Sequence, residues 1–188
     1  MNTMIEDGKG SSRTAEVNSD NQLITKSIIE DQSLYNTHYG RTFILTTDFI
    51  SITDTSSFHG ILYFKNITDS DLQLAKIQIC SNVSVSQWKF IKNPTAGTLI
   101  SNGTVITPQN ALFSSNIKFS GIATVGGQGF TVTDGILFAQ EQCEIGMCNS
   151  EVSGNIILRN GNSFAMMVKV PASGQICSAI VIYFDKTD

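Results

Sequence analysis

The feature that most constrains the fold is the spacing of apolar residues: they recur at every second position, in short runs broken by Gly, Asn, Asp and Pro. A period of two places alternate side chains on opposite faces of an extended strand, and the 3.6-residue period of an amphipathic helix is nearly absent. The predicted strands are Leu23–Ile29, Thr42–Ile52, Gly60–Lys65, Leu72–Cys80, Val83–Ile91, Ile117–Val125, Phe130–Val132, Ile136–Ala139, Asn155–Leu158, Phe164–Val170 and Ile176–Phe184. Leu99-Ile100 and Val105-Ile106 flank Asn102-Gly103, a favoured hairpin centre, and predict a further tight hairpin. Gln109–Ser115 predicts one helical turn after Pro108. About ten or eleven strands without a repeat period predict an all-β chain, an antiparallel β-sandwich of jelly-roll-like form. Residues 1–22 form a polar N-terminal arm in this reading, and residues 23–188 a single sandwich domain.

Two strands carry more than alternation. In Leu72–Cys80, Leu72 and Leu74 share one face while Ile77 and Ile79 fall on the other, which predicts a bulge near Ala75. In the closing hairpin both faces are apolar. Phe164, Met166, Val168 and Val170 oppose Ala165 and Met167, and Ile176, Ile180, Ile182 and Phe184 oppose Cys177, Ala179, Val181 and Tyr183. A sandwich strand needs only one apolar face, so a second layer, a loop or a neighbouring subunit must cover the other. Met167, Ala179, Val181 and Tyr183 are therefore interface candidates, joined by Leu23 and Ile24 of the first predicted strand.

Charge narrows the partner classes. Only 15% of the 188 residues are charged, 12 basic against 16 acidic, for a net −4. No basic stripe is present to neutralise phosphates, so nucleic acid is not an expected partner. No apolar run reaches the roughly 20 residues of a membrane-spanning helix, and a membrane is not an expected partner either. The polarity resides instead in Ser, Thr and Asn, uncharged groups that repel neighbouring copies weakly. The first twenty residues lack the basic and apolar regions of a secretory signal, giving the expectation of synthesis in a cytoplasm-like compartment. On that basis Cys80, Cys143, Cys148 and Cys177 are expected as free thiols, with a Cys143–Cys148 disulfide or a metal site as open alternatives. Asn66, Asn82 and Asn102 match glycosylation acceptors and are read as chance matches.

No catalytic constellation is expected. His38 sits in a polar loop and His59 opens a strand as an exposed residue, too few for a clustered metal enzyme. Gly126-Gly127-Gln128-Gly129 lacks the lysine and helix of a phosphate loop and reads as a hairpin tip. No catalytic residue, metal ligand or cofactor is assigned.

Three stretches carry a resemblance. Val17–Ser27, Gly60–Leu72 with its aliphatic-aromatic alternation running into a polar turn, and Gly161–Pro171 before the apolar last strand resemble segments of small virion structural proteins of tailed bacteriophages. The resemblance implies a capsid decoration (cement) protein, non-catalytic, homotrimeric and bound to the major capsid protein. Such a protein is made in the host bacterial cytoplasm and resides on the head surface. A receptor- or glycan-binding head of a phage fibre is the alternative, and a host-side lectin or enzyme the second.

Overall fold

The computed structural model describes residues 32–119, 121–150 and 156–185. They belong to one compact unit that begins at Gln32. The arm 1–22, the predicted strand Leu23–Ile29 and the candidates Leu23 and Ile24 lie outside the described residues. In chain order the elements are α1 (Gln32–His38), β1 (Thr42–Thr46), β2 (Ile50–Ile52), β3 (His59–Lys65), β4 (Asp71–Ser81) and β5 (Ser86–Lys92). Then come α2 (Thr98–Asn102), β6 (Thr104–Ile106), β7 (Gln109–Asn110), β8 (Ile122–Val125) and β9 (Ile136–Cys143). The last four are β10 (Gly146–Asn149), β11 (Ile156–Leu158), β12 (Ser163–Lys169) and β13 (Gly174–Asp185).

The chain is an all-β antiparallel sandwich. One sheet runs β10-β4-β13-β1-β7, with β11 also paired to β4 and β2 to β13. The other runs β6-β8-β3-β12-β5-β9. Between them the inward residues of each alternating strand meet: Phe43, Leu45, Leu72, Leu74, Ile77, Ile180 and Ile182 from the first sheet face Leu62, Phe64, Trp88, Phe90, Phe164 and Met166 from the second. Burial of such side chains contributes about 1.5–3 kcal/mol each, which makes this layer the main stabilising term. Trp88 donates its indole N–H to Ser86 Oγ at 3.0 Å, so its one polar atom is satisfied in the core.

The bulge lies where the phase of the sequence changes. Val181 stands opposite Lys76 but Ile182 stands opposite Leu74, leaving Ala75 as the extra residue. That slip returns Ile77 and Ile79 to the same buried face as Leu72 and Leu74.

Several local expectations fail for identifiable reasons. Thr42–Ile52 is two strands, because Thr47 leaves the ladder and its Oγ1 accepts the Ser178 N–H at 2.8 Å. Asn102-Gly103 is not a hairpin tip: Gly103 has φ −61°, ψ 150°, whereas the tight hairpin turn that Asn-Gly favours needs positive φ. Thr98–Ser101 instead wind as a helical turn whose Ile100 and Ser101 N–H groups donate to Gly97 O. Gln109–Asn110 pair with Ile44 and Phe43 as a short strand rather than starting a helix. Phe130–Val132 and the Ile117–Phe119 end of another predicted strand are extended loop.

Candidate interaction surface

The two sheets treat their outer faces differently. On the second sheet, Tyr63, Ile91, Ala165 and Met167 point away from the main core, and α2 folds over them with Leu99 fully buried among them. Phe58, Ile100, Phe130 and Val132 complete this cover. Glycine makes the close approach feasible: a Cβ on Gly60 would lie 3.0 Å from Leu99 Cδ2, and one on Gly126 would lie 2.7 Å from Leu99 Cδ1. Met167 is only 9% exposed here. As an interface candidate it is corrected, since the chain's own β5–β9 connection occupies the face on which a partner would have to sit.

The cover is pinned by polar clamps. Gln128 Oε1 accepts the Thr53 and Asp54 N–H groups at 2.6 and 3.2 Å. His59, expected on the surface, is buried. Its Nδ1 accepts the Gly129 N–H at 3.2 Å and its Nε2–H donates to Asp54 O at 3.0 Å, a tautomer assigned from these partners. The Ser56 hydroxyl, and then its backbone N–H, hold the Asp54 carboxyl below its ordinary pKa. At Asp134 the Thr95 hydroxyl, followed by the Ala96 and Thr95 N–H groups, does the same. His38 ends α1.

The first sheet keeps an open outer face. Ala179, Val181 and Tyr183 are half-buried there on β13, brought together as alternation requires, with Ile44 beside Val181 on β1. Polar side chains interleave with them, Gln78 opposite Ala179 and Gln73 opposite Tyr183. This is a mixed surface rather than a continuous apolar patch.

Alternation did not single out a run of three consecutive exposed apolar residues on β9. β9 is an outer strand of the second sheet, and among the described residues nothing pairs with its far edge. Its first three residues are Ile136, Leu137 and Phe138, 64%, 50% and 40% exposed. The ladder to β5 slips at Phe138, with Leu137 opposite Ile91 and Ala139 opposite Phe90. This bulge turns the Phe138 ring toward Phe90 and Phe164, at centroid distances of 6.2 and 6.1 Å. Phe138, Phe164, Leu158, Ile156 and Ile157 line a cleft of about 320 Å³ at this margin of the sandwich. Cleft and edge together form a partly apolar surface, with Lys92, Asn93, Asn162 and Ser163 also lining the cleft, beside a strand edge that pairs with no described residue, the kind of site used in strand-to-strand association.

At its other end β9 is tied to the opposite sheet. Cys143 and Cys148 are disulfide-bonded, so the expectation of four free thiols is corrected. The turn between β9 and β10 brings their Cα atoms to 6.0 Å, and Cys143 is fully buried against the core. Cys80 and Cys177 are free. Among the described residues no group of three or more His, Cys, Asp or Glu side chains is arranged to hold a metal ion, and no helix is long and apolar enough to cross a membrane.

Compared with protein-family models, curated proteins and solved structures, the chain finds no match in any of the three.

Proposed function

We propose that this chain is a non-catalytic structural protein of a tailed-phage particle, a capsid decoration (cement) protein that assembles as a homotrimer and reinforces the head shell by repeated weak contacts with the major capsid protein. The observation that carries this reading is the apolar start of β9, Ile136–Phe138, unpaired on its outer edge among the described residues, beside the cleft at Phe138 and Ile157. An isolated protein gains nothing by leaving such an edge open, because it invites association, whereas an assembling subunit uses it. The low charge of the sequence, with its weak mutual repulsion, supports crowding on a lattice. The finer jelly-roll form is part of the proposal. It is supported by the way β3, β4 and β5 pass from one sheet to the other and back, and by β12 and β13 lying centrally in opposite sheets.

The fibre-head alternative has one observation in its favour: Ile145 and Met147 are exposed at the disulfide-closed turn, as a distal recognition loop requires. Sedimentation velocity over a rising concentration series, together with electron microscopy of particles with and without the chain, separates the readings. Decoration requires trimers in solution, and density over the head that vanishes with the chain and is weakened on replacing Leu137 with Lys. A monomer at high micromolar concentration and unchanged heads refute it, and density at a fibre tip transfers the assignment to the alternative.

A further inference from the structure

Across β10, β4 and β13 the register sets three sulfur-bearing side chains in one row. Cys80 stands opposite Met147 on one side and opposite Cys177 on the other. Residues directly opposed in an antiparallel ladder share a face, and the inward neighbours Ile79, Ser81, Ile176 and Ser178 are buried, so all three sulfurs lie on the outer face of the first sheet. The ladder phase fixes their approach. Asn82 N–H donates to Gln175 O, which makes that pair, and the Cys80–Cys177 pair two residues on, hydrogen-bonded ones. Ser150 N–H donates to Ile77 O, which makes Met147–Cys80 a non-hydrogen-bonded pair, the kind whose side chains stand closer. The Met147 side chain already leans over β4, its Sδ accepting Gln78 Nε2–H at 3.3 Å. Both cysteines stay outside the Cys143–Cys148 disulfide, and neither takes part in the β9 edge.

The geometry points to a binding site for a soft monovalent metal ion of the Cu(I) class, ligated by Sγ of Cys80 and Cys177 with Sδ of Met147 as the third donor. Two thiolates and a thioether are the donor set that selects such an ion, and three donors from adjacent strands of one sheet suit trigonal coordination. Zinc takes four ligands in closed sites and finds only three here. Cys80 and Cys177 are directly opposed in the ladder, and two thiolates set side by side repel each other. Ionising both thiols side by side is therefore unfavourable without a cation between them. Binding replaces two S–H bonds by two S–metal bonds and releases two protons, with no change of oxidation state. Affinity therefore rises with pH.

Thiol counting on the denatured, non-reduced protein comes first, with two free thiols per chain expected. None would show that the pair closes as a disulfide, and would overturn the site. The full chain is then titrated anaerobically with Cu(I) supplied as its bathocuproine disulfonate complex, following loss of that complex's colour and growth of the thiolate-to-Cu(I) absorption in the ultraviolet. One ion per chain is expected, with Zn(II) failing to compete. Cys80→Ser and Cys177→Ser should each weaken binding by at least roughly a hundredfold and Met147→Leu by roughly tenfold, since losing even an outer-shell group costs about 10–100-fold. Met147 is 67% exposed, so its replacement keeps the fold intact and the test readable. Retained binding in the double Cys→Ser variant, or unchanged affinity in Met147→Leu, overturns the three-sulfur site.

Discussion

Leu99→Ala is the sharpest test of how the outer face of the second sheet is closed. Leu99 is fully buried, and it rests on two residues without side chains, Gly60 and Gly126. Its backbone is held on both sides: its N–H donates to Thr131 O at 3.1 Å, and its carbonyl accepts the Thr124 hydroxyl at 2.9 Å. The surroundings therefore cannot collapse into the space that truncation leaves. Buried Leu→Ala changes cost about 2–5 kcal/mol, rising with the cavity that remains, and a site this constrained belongs at about 3–4 kcal/mol. Chemical denaturation should show that loss as a lower midpoint at unchanged slope. A thermal melt should fall by roughly 10 °C, at about 2–4 °C per kcal/mol for a chain of this size. A leucine on an exposed hairpin, as Asn102-Gly103 alone suggests, costs only about 0.5 kcal/mol. Gly60→Ala supplies an internal check. Its Cβ meets Leu99 Cδ2 at 3.0 Å, Cβ at 3.1 Å and Cγ at 3.5 Å in the native protein; Leu99→Ala removes Cδ2 and Cγ but keeps the Cβ contact, so it relieves the crowding in part. The glycine substitution should thus be less harmful in the truncated background, with a coupling of about 0.5–3 kcal/mol. A Leu99→Ala loss below about 1 kcal/mol would refute the plug.

Three further outcomes follow from the same geometry. Gly97 has φ +133° and a Cβ there would fall 2.3 Å from Thr131 O, so Gly97→Ala should destabilise by about 2 kcal/mol or more in urea unfolding. Asp54 and Asp134 have folded pKa values depressed below the ordinary 3.8, so their contribution is full above that value and is lost as pH falls through the folded values; Asp134→Asn should flatten this acid limb in a pH series of thermal melts. Cys143 and Cys148 close a short loop, and the double Ser variant should lose about 2 kcal/mol, the lower end of the usual disulfide range, with reductant lowering the native melt but not the variant's.

Alternation made the sheets legible because it reports a local property, which face of a strand is buried. The slip at Ala75 was legible for the same reason: a bulge must exchange the apolar set between faces, and Leu74 and Ile77 record it. The closing hairpin was only half legible. Its doubly apolar strands both needed outer cover, but the sequence could not say that α2 supplies it over Met167 while the face at Ala179, Val181 and Tyr183 stays open. Leu99 itself was hidden because Asn102-Gly103 is a strong hairpin signal whose geometry tertiary packing overrode. The edge position of β9 is a property of strand order, marked within Ile136–Cys143 only by the polar run Gln140-Glu141-Gln142.

The edge also limits what kind of assembly it can serve. Natural sheets blunt open edges with charged and polar residues, and β9 does so over Gln140, Glu141 and Gln142, leaving only Ile136–Phe138 without such protection. Each of those three side chains keeps roughly half its surface to bury, worth about 1 kcal/mol apiece. A few ladder hydrogen bonds add about 1 kcal/mol each. Against them stands an association cost of about 4–15 kcal/mol for lost translational and rotational freedom. One such edge therefore cannot hold a partner tightly by itself. Several copies linked in a trimer convert each later contact into an intramolecular one, which raises avidity by about 10²–10⁴ without any new contact. A short greasy edge on a low-charge sandwich is thus ill suited to a one-to-one complex and well suited to a repeating lattice, where weak contacts are made many times over.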